Sequence, residues 1–175
     1  MKHLVLILAF YTCALASEEM IIGKKTIDPG IELIFEAAPK DTIFPDSLYL
    51  PENETDIHIE MLARWKEDNS ALAPSGSFVA YLEAEVLIKN KNGRTDKANL
   101  TPHLNLIDNL HYAQNIKLPG SINDSYDVTF KISPPRKEVL GIHFDWYEKF
   151  GELIKETSFT FKNLNFKKIA IKTRR

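Results

Sequence analysis

The sequence contains one cysteine, Cys13, and carries almost no net charge. The cysteine lies in an N-terminal stretch with the features of an export signal, so a chain cleaved after Ala16 retains no cysteine and forms no disulfide. The formal net charge is −2, which excludes the strong field typical of proteins that bind nucleic acid. An exported chain without disulfides is typical of the bacterial periplasm.

The first 16 residues predict a signal peptide. Lys2 precedes an apolar run at residues 4–8, and Ala14-Leu15-Ala16 provides a small-residue cleavage site. The run is too short to span a membrane. An uncleaved anchor and lipidation of Cys13 are the alternatives, although residues 10–12 (FYT) fit a lipoprotein signal poorly.

The remaining chain has no internal repeat, low-complexity segment or linker, so residues 17–175 predict one domain. Short runs rich in β-branched and aromatic residues, punctuated by Pro, Gly and Asn, predict strands and hence a β-sandwich or small barrel. A hairpin turn is expected at Asn92-Gly93. The basic tail from about residue 167 is interpreted as a solvated or frayed terminus, with a membrane or partner contact as the alternative. The predicted strands are 31–37, 56–65, 78–90, 114–120, 125–133 and 157–166.

The segment DIHIE, residues 56–60, places two metal-binding residue types on one strand. Alternation directs Ile57 and Ile59 to one face and His58 and Glu60 to the other, with the last two Cα atoms roughly 6.5 Å apart. One ion beside the strand is within reach of both side chains. The alternative is a solvated strand face that carries an incidental histidine.

Two further segments contain histidines. Residues 101–120 contain His103, Asp108 and His111 and are interpreted as a loop that folds back, and GIHFD contains His143. No HExxH zinc-protease motif is present. Each histidine alone is compatible with a structural role. Together, imidazole nitrogen and carboxylate oxygen suit middle and late first-row divalent ions, among which Cu²⁺ binds most tightly.

In order along the chain, these motifs resemble the bacterial periplasmic iron-transport protein family, Fe²⁺ transport accessory proteins often encoded beside a high-affinity iron permease. The resemblance covers about residues 18–166. HYAQNIKLPG and GIHFD carry most of its specificity. The motifs are DIHIE, FVAYLEAEVLIKN, PHLNLIDNLHYAQNIKLPG, YDVTFKISPP and LGIHFD.

This resemblance implies an immunoglobulin-like β-sandwich that forms a homodimer, with a metal site near the subunit interface. It implies that the protein binds copper and iron ions, with manganese or zinc as surrogates. It also implies an inner-membrane iron permease as partner. The residues that match the family's motifs are His58, Glu60, His111 and His143. Asp108 stands where the family has an aspartate near a second, iron-like site.

One departure concerns the family's methionine ligand. The family has a Met-Pro-Met segment where this chain has Thr101-Pro102-His103, with one extra residue before His111. We expect His103 to replace the methionine. An imidazole in place of a thioether should favour divalent ions over Cu⁺.

Three functions are compatible with these residues. The first is a periplasmic protein that binds copper and iron and presents or redox-cycles the ion for a permease. The second is a copper- or zinc-dependent oxidase or hydrolase, although no nucleophile motif is present. The third is an immunoglobulin-like adhesion or ligand-binding module with incidental histidines.

Overall fold

The fold is built almost entirely from antiparallel strands. The structure is a computed structural model that describes residues 19–174, so the predicted signal peptide and Cys13 lie outside the described residues. The strands follow the order β1-β2-β3-β6-β5-β4-β7-β8. The elements are β1 (Met20–Ile27), β2 (Ile31–Ala38), β3 (Ile57–Trp65), β4 (Glu83–Asn90), β5 (Thr95–Asn105), β6 (Asn109–Ile116), β7 (Tyr126–Ser133), α1 (Phe144–Phe150), β8 (Thr157–Leu164) and α2 (Lys167–Ala170).

The long strand β5 joins the two halves of this sheet. Residues 95–100 pair with β4, and residues 101–105 pair with β6. The halves pack face to face around aromatic rings, with the centroid of Phe35 on β2 4.4 Å from that of Phe130 on β7. The predicted all-β sandwich is confirmed, and its strands close into a barrel-like form. Between residues 19 and 174 no helix is long and apolar enough to cross a membrane.

Several strand boundaries differ from the sequence-based prediction. β1 and β5 were not predicted, and only residues 83–90 of the 78–90 run form a strand. β5 is difficult to predict because Pro102 lies within it and its first residues are exposed and polar. The turn at Asn92-Gly93 is present, with a positive φ of 84° at Gly93.

The C-terminal tail is packed against the domain rather than frayed. Phe166, Ile169 and Ala170 are buried in the core, at a spacing that gives a short helix one apolar face. Beyond this helix, Thr173 forms a parallel bridge with Lys40, and the Arg174 backbone N–H donates to the Lys40 carbonyl at 3.3 Å. The interpretation of a solvated or frayed tail is therefore wrong, because apolar side chains spaced among the basic ones pack into the core.

A candidate metal centre on the outer face of the sheet

Adjacent strands bring three histidines together on one face of the sheet. In β3, Ile57 and Ile59 are buried in the core, while His58 and Glu60 point to the opposite face, as alternation predicted. This second face is not solvated at these positions, since His58 is 2% exposed and Glu60 is fully buried. Both faces of β3 are therefore buried at these positions, and the alternative of a solvated strand face does not apply.

The segment predicted as a loop, residues 101–120, is largely a β-hairpin. β5 and β6 pair so that His103 lies directly opposite His111. The turn between them is held by the Asn105 side chain, which accepts from the backbone N–H of Asp108, and Asn109 follows with a φ of 60°. The expected meeting of His103 and His111 thus occurs through strand register, not through a folded loop.

A hydrogen-bond network fixes the proton position on His58. The Asn115 amide nitrogen donates to the carbonyls of Asp41 at 2.9 Å and Leu50 at 2.8 Å, so its oxygen faces His58. That oxygen accepts from Nδ1 of His58 at 2.9 Å. Nδ1 therefore carries the proton, which leaves a lone pair on Nε2 toward the site.

His111 has the same tautomer by a different route. Its Nδ1 donates to the backbone carbonyl of Asn109 at 2.9 Å, and a carbonyl can only accept. Nε2 therefore carries the lone pair. It is buried and has no hydrogen-bond partner among residues 19–174, although buried polar atoms are nearly always paired.

One nitrogen from each of His58, His103 and His111 lies within 4.8 Å of the others. We call these three residues the histidine centre. On His103, Nε2 lies 3.1 Å from the Thr101 hydroxyl. An ion at this position would draw the three nitrogens in to roughly 2.0–2.1 Å from itself.

Burial keeps the histidine centre neutral. It lowers the pKa of His58 to about 3, with a smaller opposing effect of the Asn115 hydrogen bond. Burial and the neighbouring His111 lower the pKa of His103 to about 4, and burial also lowers the pKa of His111. Neutral imidazoles are the form that binds metals, so protons do not compete for these lone pairs near neutral pH.

A cavity of about 340 Å³ opens onto the histidine centre. Its wall includes segment 41–44, Tyr49 and the Arg174 side chain. The Tyr49 ring meets the His103 ring edge-on, with centroids 5.0 Å apart. The histidines are therefore reached through a mouth that a loop and the C-terminal tail help to line.

Next to the histidine centre lies a group of acidic side chains, Glu19, Glu60 and Asp108, which we call the carboxylate cluster. One oxygen from each lies within 4.8 Å of the others. Burial raises the pKa of Glu60 to about 8, while Arg174 acts in the opposite direction. Glu36, paired with Glu60 across β2 and β3, has its pKa raised to about 7 mainly by burial.

The predicted ligands Glu60 and Asp108 therefore meet, but beside the histidine centre rather than within it. The link between the two groups is His58 Nε2, which lies 3.6 Å from Glu60 Oε1. Glu19 and Glu36 were missed by the sequence analysis. Neither lies in a recognisable motif. Pairing of β2 with β3 brings Glu36 here, and Glu19 lies at the residue before β1.

His143 is not part of the histidine centre in this chain. It is exposed and precedes α1 as the N-cap residue, and it lines a separate cavity with Trp65 and Trp146. Trp65 is seven residues along β3 from His58, which corresponds to roughly 23 Å. The sequence-based set of six ligands therefore divides into three histidines, two carboxylates and one distant histidine.

Two solved structures of similar proteins contain bound copper. A copper-bound variant of Campylobacter jejuni P19 is 26% identical, with a TM-score of 0.70, over 83% of this chain and 96% of that chain. A copper-bound variant of FetP from uropathogenic Escherichia coli is 25% identical, with a TM-score of 0.68, over 85% of this chain and 99% of that one.

Curated relatives are found in Brucella. UPF0423 proteins of Brucella abortus and Brucella suis are 27% identical over 120 residues, which are 68% of this chain and 64% of each relative. Residues 16–168 match the model of the Fe²⁺ transport protein family. Because this match spans most of the sequence, the protein belongs to the Fe²⁺ transport protein family.

Proposed function

We propose that this protein is a periplasmic metal-binding protein of high-affinity iron uptake, which binds copper at the histidine centre and iron at neighbouring oxygen ligands. One observation carries the proposal. Three buried imidazoles converge, and hydrogen bonds hold the lone pairs of His58 and His111 on Nε2 before any ion arrives. This preorganisation is costly unless a cation uses it, since His111 Nε2 is otherwise left buried and unpaired.

The two groups of side chains differ in the ions that they favour. Imidazole nitrogens suit copper, while carboxylate oxygens suit harder ions such as Fe²⁺ and Mn²⁺. Because His58 Nε2 and Glu60 Oε1 are 3.6 Å apart, ions in the two groups would be close neighbours. This arrangement supports an ion that is presented to a membrane permease or changes its oxidation state beside a second ion.

The physiological test uses a strain that lacks the gene. Under iron restriction this strain should accumulate less radioactive iron than the parent. The wild-type gene should restore uptake, and a gene encoding both His58→Ala and His111→Ala should not. Growth with ample iron serves as the control. Normal iron accumulation in the deletion strain would contradict the proposed role in iron uptake. It would not contradict the proposal that the protein binds metal.

We also propose that the protein is a homodimer in which His143 of one copy completes the histidine centre of the other. Apolar side chains are exposed near the histidine centre and also near His143. They are Leu104, Leu106 and Ile107 beside the histidine centre, and Phe144 beside His143. In a two-fold dimer, the patch beside the histidine centre of each copy would pack against the patch beside His143 of the other copy. The symmetry repeats this contact, so all four patches would be buried. It would also supply a fourth imidazole to three that leave a coordination position open.

Mixed dimers test this arrangement. Neither a His58→Ala dimer nor a His143→Ala dimer has an intact four-histidine site. A heterodimer of the two chains should regain one, because the undamaged residues then meet across the interface. The measurement is copper bound per dimer at limiting copper, with the number of nitrogen ligands read by electron paramagnetic resonance. Recovery of no site, or a monomer in solution, would contradict the proposal.

A further inference from the structure

The basic tail brings one arginine into the carboxylate cluster. Arg174 is 11% exposed, and its Nη2 lies 2.8 Å from Glu19 Oε1, 3.4 Å from Glu60 Oε1 and 3.6 Å from Asp108 Oδ2. These three carboxylates come from the residue before β1, from β3 and from the β5–β6 turn. A single guanidinium therefore meets every member of the cluster.

The position of Arg174 is determined by the packing of the tail. Phe166 and Ile169 anchor α2 in the core, and the backbone pairing with Lys40 directs the chain past the cavity mouth. Of these packing contacts, only the backbone pairing with Lys40 positions the Arg174 side chain, because Arg174 lies four residues beyond Ala170, the last buried residue. The arginine can therefore leave the cluster without disturbing the core.

Arg174 satisfies the cluster incompletely. Both carboxylate oxygens of Glu60 are buried and have no hydrogen-bond partner within residues 19–174, and a buried carboxylate normally has several. The guanidinium offers one positive charge to three acidic groups. A small divalent cation offers two charges and can approach oxygen atoms more closely, at about 2.0–2.2 Å for first-row ions.

We propose that Arg174 serves as an internal cation that occupies the carboxylate cluster and must move out before a divalent ion binds there. Two cations within a few ångströms repel each other strongly in a buried site. The tail thereby determines whether the protein carries one ion or two. This inference deepens the proposed function, on which it rests, by assigning control of the second ion to a residue outside the ligand set.

The test measures Mn²⁺ binding to the full mature chain, with the signal of free Mn²⁺ followed by electron paramagnetic resonance. Arg174→Ala should bind one Mn²⁺ about tenfold or more tightly than the wild type, because a competing charge has been removed. Lys168→Ala is the matched control. It removes one positive charge from an exposed residue of the same tail and should leave Mn²⁺ affinity unchanged.

Two further variants sharpen the result. Arg174→Gln keeps a long polar side chain without the charge, so a gain there supports the proposal even where Arg174→Ala folds poorly. Adding Glu60→Gln to Arg174→Ala should return Mn²⁺ affinity to the wild-type level, which assigns the gain to the cluster. No gain in either Arg174 variant, or an equal gain in Lys168→Ala, would overturn the proposal.

A copper titration of the wild type separates this inference from the proposed function. If the wild type binds no copper but Arg174→Ala binds Mn²⁺ more tightly, the proposal that the histidine centre binds copper is rejected. The role of Arg174 as a competing cation is then retained. Normal copper binding together with unchanged Mn²⁺ binding would retain the histidine centre and reject the role of Arg174.

Discussion

Replacing His58 with alanine is expected to lower the affinity for Cu²⁺ by about a hundredfold or more. Loss of a residue that only orients a metal ligand typically costs about 10–100-fold, so loss of the ligand itself should cost at least as much. His58 is buried and oriented by Asn115, and its lone pair is directed into the site. Affinity is measured by competition with a chelator of known strength, and nitrogen ligation by electron paramagnetic resonance.

The matched control is Phe44→Ala. Phe44 lines the same cavity and is 79% exposed, but it offers no ligand atom. Its replacement should leave copper affinity unchanged, which separates the loss of a ligand from a wider cavity mouth. Thermal unfolding of both variants checks that the sheet is intact. Wild-type affinity in a folded His58→Ala protein would show that His58 is not a ligand.

The metal-free protein is expected to lose stability as the pH falls from about 6.5 toward 4. The pKa values of His58 and His103 are about 3 and 4 in the folded protein, against 6.5 as the ordinary value, and that of His111 is also lowered. Below pH 6.5 the unfolded chain therefore binds protons that the folded chain does not. Each such histidine lowers the free energy of unfolding by up to about 1.4 kcal/mol per pH unit.

Two buried carboxyl groups act in the opposite direction. The pKa of Glu60 is about 8 and that of Glu36 about 7 in the fold, against an ordinary value of 4.5. Above pH 4.5 the folded chain keeps protons that the unfolded chain releases, so stability falls as the pH rises toward these values. Below pH 6.5 the effects of His58 and His103 offset those of the two carboxyl groups, and the lowered pKa of His111 adds a further loss of stability toward acid pH. Above pH 6.5 only the carboxyl groups act. We expect maximum stability near pH 6.5.

Urea unfolding in the presence of a chelator, at several pH values between 4.5 and 8.5, measures this profile. His58→Gln should flatten the acid side, because the variant no longer excludes that proton. Phe44→Ala changes an exposed side chain that has no titratable group and should leave the profile unchanged. Identical profiles for the wild type and His58→Gln between pH 6.5 and 4.5 would show that the buried His58 imidazole accepts a proton in the fold.

The sequence determined the local features of this protein. Alternation along DIHIE assigned His58 and Glu60 to one face and Ile57 and Ile59 to the core, since side-chain direction in a strand depends only on the residue's own position. The residue types predicted a metal, and the order of motifs indicated the family. Strands with an apolar face, such as 126–133, were found for the same reason, whereas polar β5 was not.

Only the tertiary structure decided which of these residues meet. His103 reaches His111 through the register of one hairpin, and both reach His58 through the pairing of β3 with β6. Glu19 and Arg174 arrive from opposite ends of the described chain, and His143 lies elsewhere. Convergence depends on pairings between distant segments, which the cooperative packing of the whole core selects and no local pattern encodes.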